Sequence, residues 1–263
     1  MARLQTFTKS TLLHNNIFRD SSNISSSLNV TNPELMFDSV TTTKGEVTAT
    51  GATIEFNLSS QADKTASGIG LAVHNGNDFT TCSVDLEIFT GTWNNVASFD
   101  IFNITTPALV EFTETPLTQC RLVFTFTGGS GSLFIANITV GTATTLPCGM
   151  QTGYTSPQYG NNDTVNYNRT LGGQLAGLNS KKQGTEQTIP IKFMSEKWAR
   201  ANAPDIIEHV SLYPFYFRWD SIDSLNADDT FFGWLDGAKP KPSWSSRQYL
   251  EMSISANGIT DNG

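Results

Sequence analysis

The sequence predicts a mainly β protein: a β-sandwich followed by a second β-domain containing one helix. Three observations lead there. Only 15% of the 263 residues are charged, and Thr, Ser, Asn and Gly are abundant, a composition that favours strands and turns over helices. Between Pro33 and Val140 short apolar-alternating runs recur about every dozen residues, with turn clusters between them. One stretch alone, Met194 to Val210, has a sustained helical period.

Taken in order, residues 1–32 read as a mildly basic arm followed by a linker. Leu12, Leu13, Ile17 and Phe18 are its apolar cluster, and the polar run Ser21 to Asn32 separates it from the first module. Residues 33–146 hold eight strand candidates: Glu46–Ala49, Ala52–Leu58, Gly68–His74, Cys82–Phe89, Ala97–Phe102, Ala108–Phe112, Cys120–Thr127 and Leu133–Val140. Their even spacing suggests a jelly-roll sandwich. Ile54, Phe56 and Leu58 alternate on one face, as do Leu122, Phe124 and Phe126.

Residues 147–263 form the second domain. Gly149 to Gly184 is a loose, glycine-rich stretch in which Val165, Tyr167 and Leu171 suit one strand. Thr188–Phe193 is a clearer strand. In the helical stretch Ser195 is a cap, and Trp198, Ala201, Ile206, Ile207 and Val210 share a face. Pro204, preceded by Asn202, predicts a break or kink near Ala203. Three strands close the chain. Tyr213, Phe215, Phe217 and Trp219 put aromatic groups on one face of the first; Phe231, Phe232 and Trp234 start the second. Tyr249, Met252, Ile254 and Ala256 belong to the third, which stops at Asn257-Gly258.

Charge divides along the same lines. The chain carries −8 overall, which argues against a nucleic-acid-coating role. Residues 25–148 contain three basic and eleven acidic groups, whereas residues 149–263 contain ten and twelve. The acidity therefore belongs to the middle module. Cys82, Cys120 and Cys148 are too few and too far apart for a disulfide framework or a zinc site, and buried free thiols are expected. Residues 1–20 lack the apolar core of a secretory leader, and no apolar run is long enough to span a membrane.

Motifs for chemistry are sparse. His14, His74 and His209 form no metal-ligand spacing, and neither a nucleophile elbow nor a phosphate loop is present. Asp220, Asp223, Asn226 and Asp228 lie close in sequence but lack the spacing of a calcium loop. No catalytic residue, cofactor site or metal site is expected, and no carboxylate pair suits glycoside hydrolysis. Trp93, at a predicted hairpin tip, and Asn94 beside it are the candidate carbohydrate-binding residues, because an indole face stacks on the C–H groups of a sugar ring. The competing reading is a half-buried loop anchor.

Two resemblances extend this reading. The run Ser67-Gly68-Ile69-Gly70-Leu71-Ala72-Val73-His74-Asn75, then Val84–Phe89 with Gly91-Thr92-Trp93, Cys120–Phe126 and Ile135–Gly141, resembles discoidin-like, galactose-binding-like jelly rolls. It has two extra residues inside the first motif and lacks the disulfide of secreted members. The aromatic strand ending Trp219-Asp220, the Gly233-Trp234-Leu235-Asp236-Gly237 strand and the final strand ending Gly258-Ile259 resemble tail-tip and baseplate proteins of long-tailed bacteriophages, the distal tail protein type above all.

The second resemblance implies a structural virion protein, made in the bacterial host cytoplasm and built into the phage tail tip. Its C-terminal domain would form a tail-tube-like ring, with a hexamer expected. Its partners would be copies of itself, the tail tube, the tape-measure and hub proteins, and DNA only in transit. The first resemblance implies the alternative: a carbohydrate-binding adsorption protein that contacts host-surface glycans. An enzyme is not expected on either.

Overall fold

The computed structural model describes residues 9–61, 64–150, 154–155, 164–169, 174–181, 184–219 and 230–260. Asp220, Asp223, Asn226 and Asp228 of the acidic run, and Leu171 of the glycine-rich stretch, lie outside them. The described residues are mainly β with one α-helix, and the sandwich stands where the strand spacing puts it.

One layer of the sandwich is a five-stranded sheet. It consists of the strands β2 (Ile24–Leu28), β5 (Ala52–Asn57), β7 (Thr81–Phe89), β8 (Trp93–Asp100) and β10 (Gln119–Thr127), in the order β2-β5-β10-β7-β8. The facing layer contains β3 (Val30–Thr31), β4 (Gly45–Val47), β6 (Thr65–His74), β9 (Ala108–Pro116) and β11 (Leu133–Thr145). Inward residues obey the predicted alternation. Ile54 and Phe56 of β5, Val84 and Leu86 of β7, and Leu122 and Phe124 of β10 meet Ile69, Leu71, Ile135 and Val140 from the other layer. Phe18, Phe37 and Phe56 fill one end, with Phe18 and Phe56 stacked at 3.9 Å between ring centroids.

The arm and linker are not what the sequence reading expected. Residues 11–14 form β1 (Thr11–His14), a central strand hydrogen-bonded to β11 on one side and to β15 (Phe215–Arg218) on the other. Ile24–Leu28, read as linker, is the edge strand β2 paired with β5. The apolar pair Leu12-Leu13 explains the error. A two-residue run looks too short to be a core strand, yet both residues are fully buried, on opposite faces of the sheet.

Through β1 the two halves share one eleven-stranded sheet, its main path running β14-β18-β16-β15-β1-β11-β4-β3. The further members are β14 (Thr185–Met194), β16 (Thr230–Leu235), β17 (Ser243–Trp244) and β18 (Leu250–Ile259). The strands β12 (Thr164–Arg169) and β13 (Leu175–Lys181) pair with each other as a hairpin, and Val165 and Tyr167 share β12 as expected. Helix α1 (Glu196–Val210) lies on the C-terminal part of the sheet. Its Ala199, Ala203, Ile206 and Val210 pack with Ile189, Ile191, Phe215, Phe217, Phe231, Met252 and Ile254.

Ser195 caps this helix as expected, accepting a hydrogen bond from the Trp198 amide at 3.2 Å. The expected break at Ala203 is absent, and Pro204 lies inside one continuous helix. Asn202 caps no second helix. Its amide instead donates to the Trp198 carbonyl at 2.9 Å, within the same helix. The apolar face is also turned relative to expectation, with Ala199 and Ala203 buried and Ala201 exposed.

The aromatic strand required the largest revision. All four residues of β15 are buried, not one face of it. Phe215 and Phe217 face the helix, whereas Tyr216 faces the sandwich, where it joins Leu13, Ala72, Val73, Leu109, Ala136 and Phe232. The Tyr216 hydroxyl donates to Asn137 Oδ1 at 2.8 Å. Arg218 donates to the Leu109 carbonyl at 2.9 Å and pairs with Glu111 on β9. Ser10 Oγ donates to the Trp219 carbonyl at 3.0 Å. These links join the two halves across the boundary placed at residues 146 and 147.

Candidate functional site

The predicted hairpin tip is real. β7 and β8 are joined by Thr90-Gly91-Thr92, where Gly91 adopts φ 98°. Asn94 is spent on this turn: its side-chain amide donates to Thr90 Oγ1 and to the Thr92 carbonyl, both at 2.8 Å. Trp93 pairs across the hairpin with Phe89, their ring centroids 5.3 Å apart.

Trp93 is not an open platform on both faces. The guanidinium carbon of Arg121, on β10, lies 4.3 Å from the centroid of the indole ring. Arg121 Nε in turn donates to Glu87 on β7 at 2.6 Å. The sheet dictates this meeting. Cys120, Leu122 and Phe124 point into the sandwich, so Arg121 points out, and pairing sets it between Glu87 of β7 and Glu55 of β5.

The outward face thus presents an aromatic pair, a guanidinium fork and a carboxylate. Phe89 is 43% exposed, while Trp93, Arg121 and Glu87 are half-buried. Such a set combines C–H stacking surface with charge-assisted donors and acceptors, the two elements that fix a polyhydroxylated ligand. Sequence reasoning named Trp93 and Asn94 but missed Phe89, Glu87 and Arg121. Phe89 was within reach, since it flanks the same three-residue turn. Arg121 and Glu87 are 34 residues apart, and only the β10–β7 pairing joins them.

The remaining reactive groups are built into the fold. Cys82 and Cys120 are free and buried, and burial pushes both thiols up to about 12. Cys148 is half-buried, with its Sγ 3.3 Å from the Lys192 carbonyl. His74 is buried in β6, its Nδ1 accepting from the Gly76 amide at 3.1 Å, and desolvation lowers its pKa to about 4. Among the described residues no three His, Cys, Asp or Glu side chains gather as a metal ion would require. No helix among them is long and apolar enough to cross a membrane.

No protein-family model matches the chain, and no curated protein sequence does. Among solved structures it is similar to the family 32 carbohydrate-binding module of AlyQ in complex with 4,5-unsaturated mannuronic acid. That likeness has 19% identity and a TM-score of 0.36, covering 44% of this chain and 94% of that one. The family 32 module of NanJ from C. perfringens, in complex with galactose, gives 17% identity, a TM-score of 0.38 and coverage of 49% and 98%. A fucosidase of Ruminococcus gnavus in complex with fucose gives 16% and 0.39, with 49% of this chain matching 27% of the enzyme. In each case the similarity extends over about half of the present chain.

Proposed function

We propose that this chain is a non-enzymatic binding protein whose jelly roll contacts a glycan through the outward face around Trp93. The observation that carries the proposal is the grouping of Phe89, Trp93, Arg121 and Glu87 on one face. A saccharide ring would lie against the exposed aromatic edges. Arg121 and Glu87 would supply hydrogen bonds to its hydroxyl groups, exchanging part of their mutual pairing for bonds to the ligand. Asn94 holds the turn that presents the aromatic pair.

A glycan array followed by titration calorimetry tests this. Trp93→Ala and Arg121→Ala are each expected to weaken binding at least about tenfold, a loss of roughly 1.4 kcal/mol, while unfolding remains cooperative. Equal affinity in both variants would place the ligand elsewhere, and a chain that binds no glycan would refute the proposal.

A second reading, assembly into the tip of a phage tail, is favoured by a different observation. Phe193, Trp244 and Tyr249 on the C-terminal half are 54%, 58% and 40% exposed, and Phe193 and Tyr249 meet edge to face at 5.8 Å. Among the described residues β14, which carries Phe193, pairs with β18 alone, which leaves its other edge open to a partner strand. A ring gives each subunit the same heterologous contact and leaves no free edge. The solution mass of the full chain, with electron microscopy, decides between a monomer and a closed ring.

A further inference from the structure

Strand β1 and helix α1 meet over a polar cavity of about 200 Å³. His14 and Asn15 line it from the arm, Thr142 and Thr144 from β11, and Asn202, Asp205 and His209 from the helix. The imidazole rings of His14 and His209 are 5.6 Å apart between centroids and tilted by 30°. His14 is only 3% exposed, and its Nε2 lies 3.0 Å from Thr144 Oγ1. The Nδ1 atoms of both rings are buried without a partner among the described residues. The cavity beside them is polar and large enough for water, which would reach both nitrogens only when the contact opens.

The arrangement suits two neutral rings and opposes two charged ones. Two imidazolium ions at this separation repel each other, and one of them would have lost nearly all its hydration. The surroundings offer little relief. β11 contributes only the hydroxyls of Thr142 and Thr144 to the cavity. On β15, Arg218 stands opposite Thr11 but is committed to Glu111 and the Leu109 carbonyl. Asp205 is the one carboxylate lining the cavity, and Glu208 precedes His209 on the helix. Both are exposed, so water screens their attraction for a proton on His14.

We propose that the His14–His209 pair is a proton-sensitive joint that loosens helix α1 from the arm strand in mildly acidic solution. Desolvation and the neighbouring His209 hold the pKa of His14 down to about 4. A proton is therefore taken up preferentially when the joint opens and the ring reaches water. Each pH unit below the ordinary histidine value of 6.5 then favours the open form by up to about tenfold. What opens is the polar contact between α1 and β1, beside the apolar packing that seats the helix on the shared sheet.

Hydrogen exchange on the full chain at pH 7.5 and pH 5.0, corrected for the intrinsic exchange rate, tests the joint. α1 and β1 are expected to open about tenfold more at pH 5.0, while β7 and β10 of the sandwich change little. His14→Gln, which removes the buried ring that desolvation keeps neutral, is expected to abolish most of that difference, and His209→Gln to reduce it by a smaller part. The proposal is overturned by unchanged exchange in α1, or by an acceleration spread evenly over all strands. It is overturned equally by a change centred on β6, where His74 is buried, or by an undiminished acid response in His14→Gln.

Discussion

Gly70 has no side chain because Tyr216 occupies the space: a Cβ there would lie 2.8 Å from the tyrosine ring. Gly68, two residues earlier on the same face of β6, is limited in the same way by Ala143 and Leu13 at 2.9 and 3.0 Å. With Ala72 these residues form a smooth stripe, while Ile69 and Leu71 fill the sandwich on the opposite face. The stripe is the seat of the C-terminal half. Gly70→Ala is therefore expected to destabilise the chain by about 1–3 kcal/mol in urea unfolding, through overpacking against Tyr216. Phe217, fully buried on the other face of β15, serves the helix side. Phe217→Ala is expected to cost about 3–5 kcal/mol in the same measurement, and a loss below about 1 kcal/mol would show that this face is not core.

At the scale of the element, β1 illustrates how much four residues can organise. Thr11–His14 pairs along its length with β11 and through three residues with β15. Leu12 contributes to the helix-side core and Leu13 to the seat of Tyr216. Helix α1 depends on its ends and its packing more than on its composition, since it carries Pro204. The Ser195 cap satisfies an amide that would otherwise lack a partner. Ser195→Ala is expected to lower stability by about 1 kcal/mol, read from the shift of a denaturant midpoint at unchanged slope.

For the whole molecule, the shared sheet makes the two halves one cooperative unit. Calorimetry of the full chain is expected to show a single transition rather than the two that independent domains would give. Residues 33–146 expressed alone would leave Ala72, Val73, Leu109 and Ala136 without the cover of Leu13, Tyr216 and Phe232, and are expected to aggregate. Stability also depends on pH through two buried histidines. His14 and His74 have folded pKa values of about 4 against an ordinary 6.5. Between those values the unfolded chain binds more protons, so stability is full above about pH 6.5, falls as the pH drops, and loses no more to these groups below about pH 4. The thermal midpoint is expected to be lower at pH 5 than at pH 7 in dilute buffer.

Local sequence pattern was enough for the class of fold, for the strands of the sandwich from β4 to β11 but not β2 and β3, and for the cap of the helix. These rest on local rules: period-two alternation sets which side chains enter a sheet's core, and a serine before a helical run satisfies its first amides. It also placed Trp93 at a hairpin tip and Cys82 and Cys120 in the interior. The tertiary structure alone decided the place of β1, the double burial of β15, and the company of Trp93. Leu12-Leu13 has no local signature of a central strand, because its partners β11 and β15 lie about 130 and 205 residues away in sequence. The stripe of Gly68, Gly70 and Ala72 reads locally as a weak strand, and only Tyr216 packed against it explains the missing side chains. Arg121 reaches Glu87 and Trp93 for the same kind of reason: sheet register aligns residues that sequence distance keeps apart.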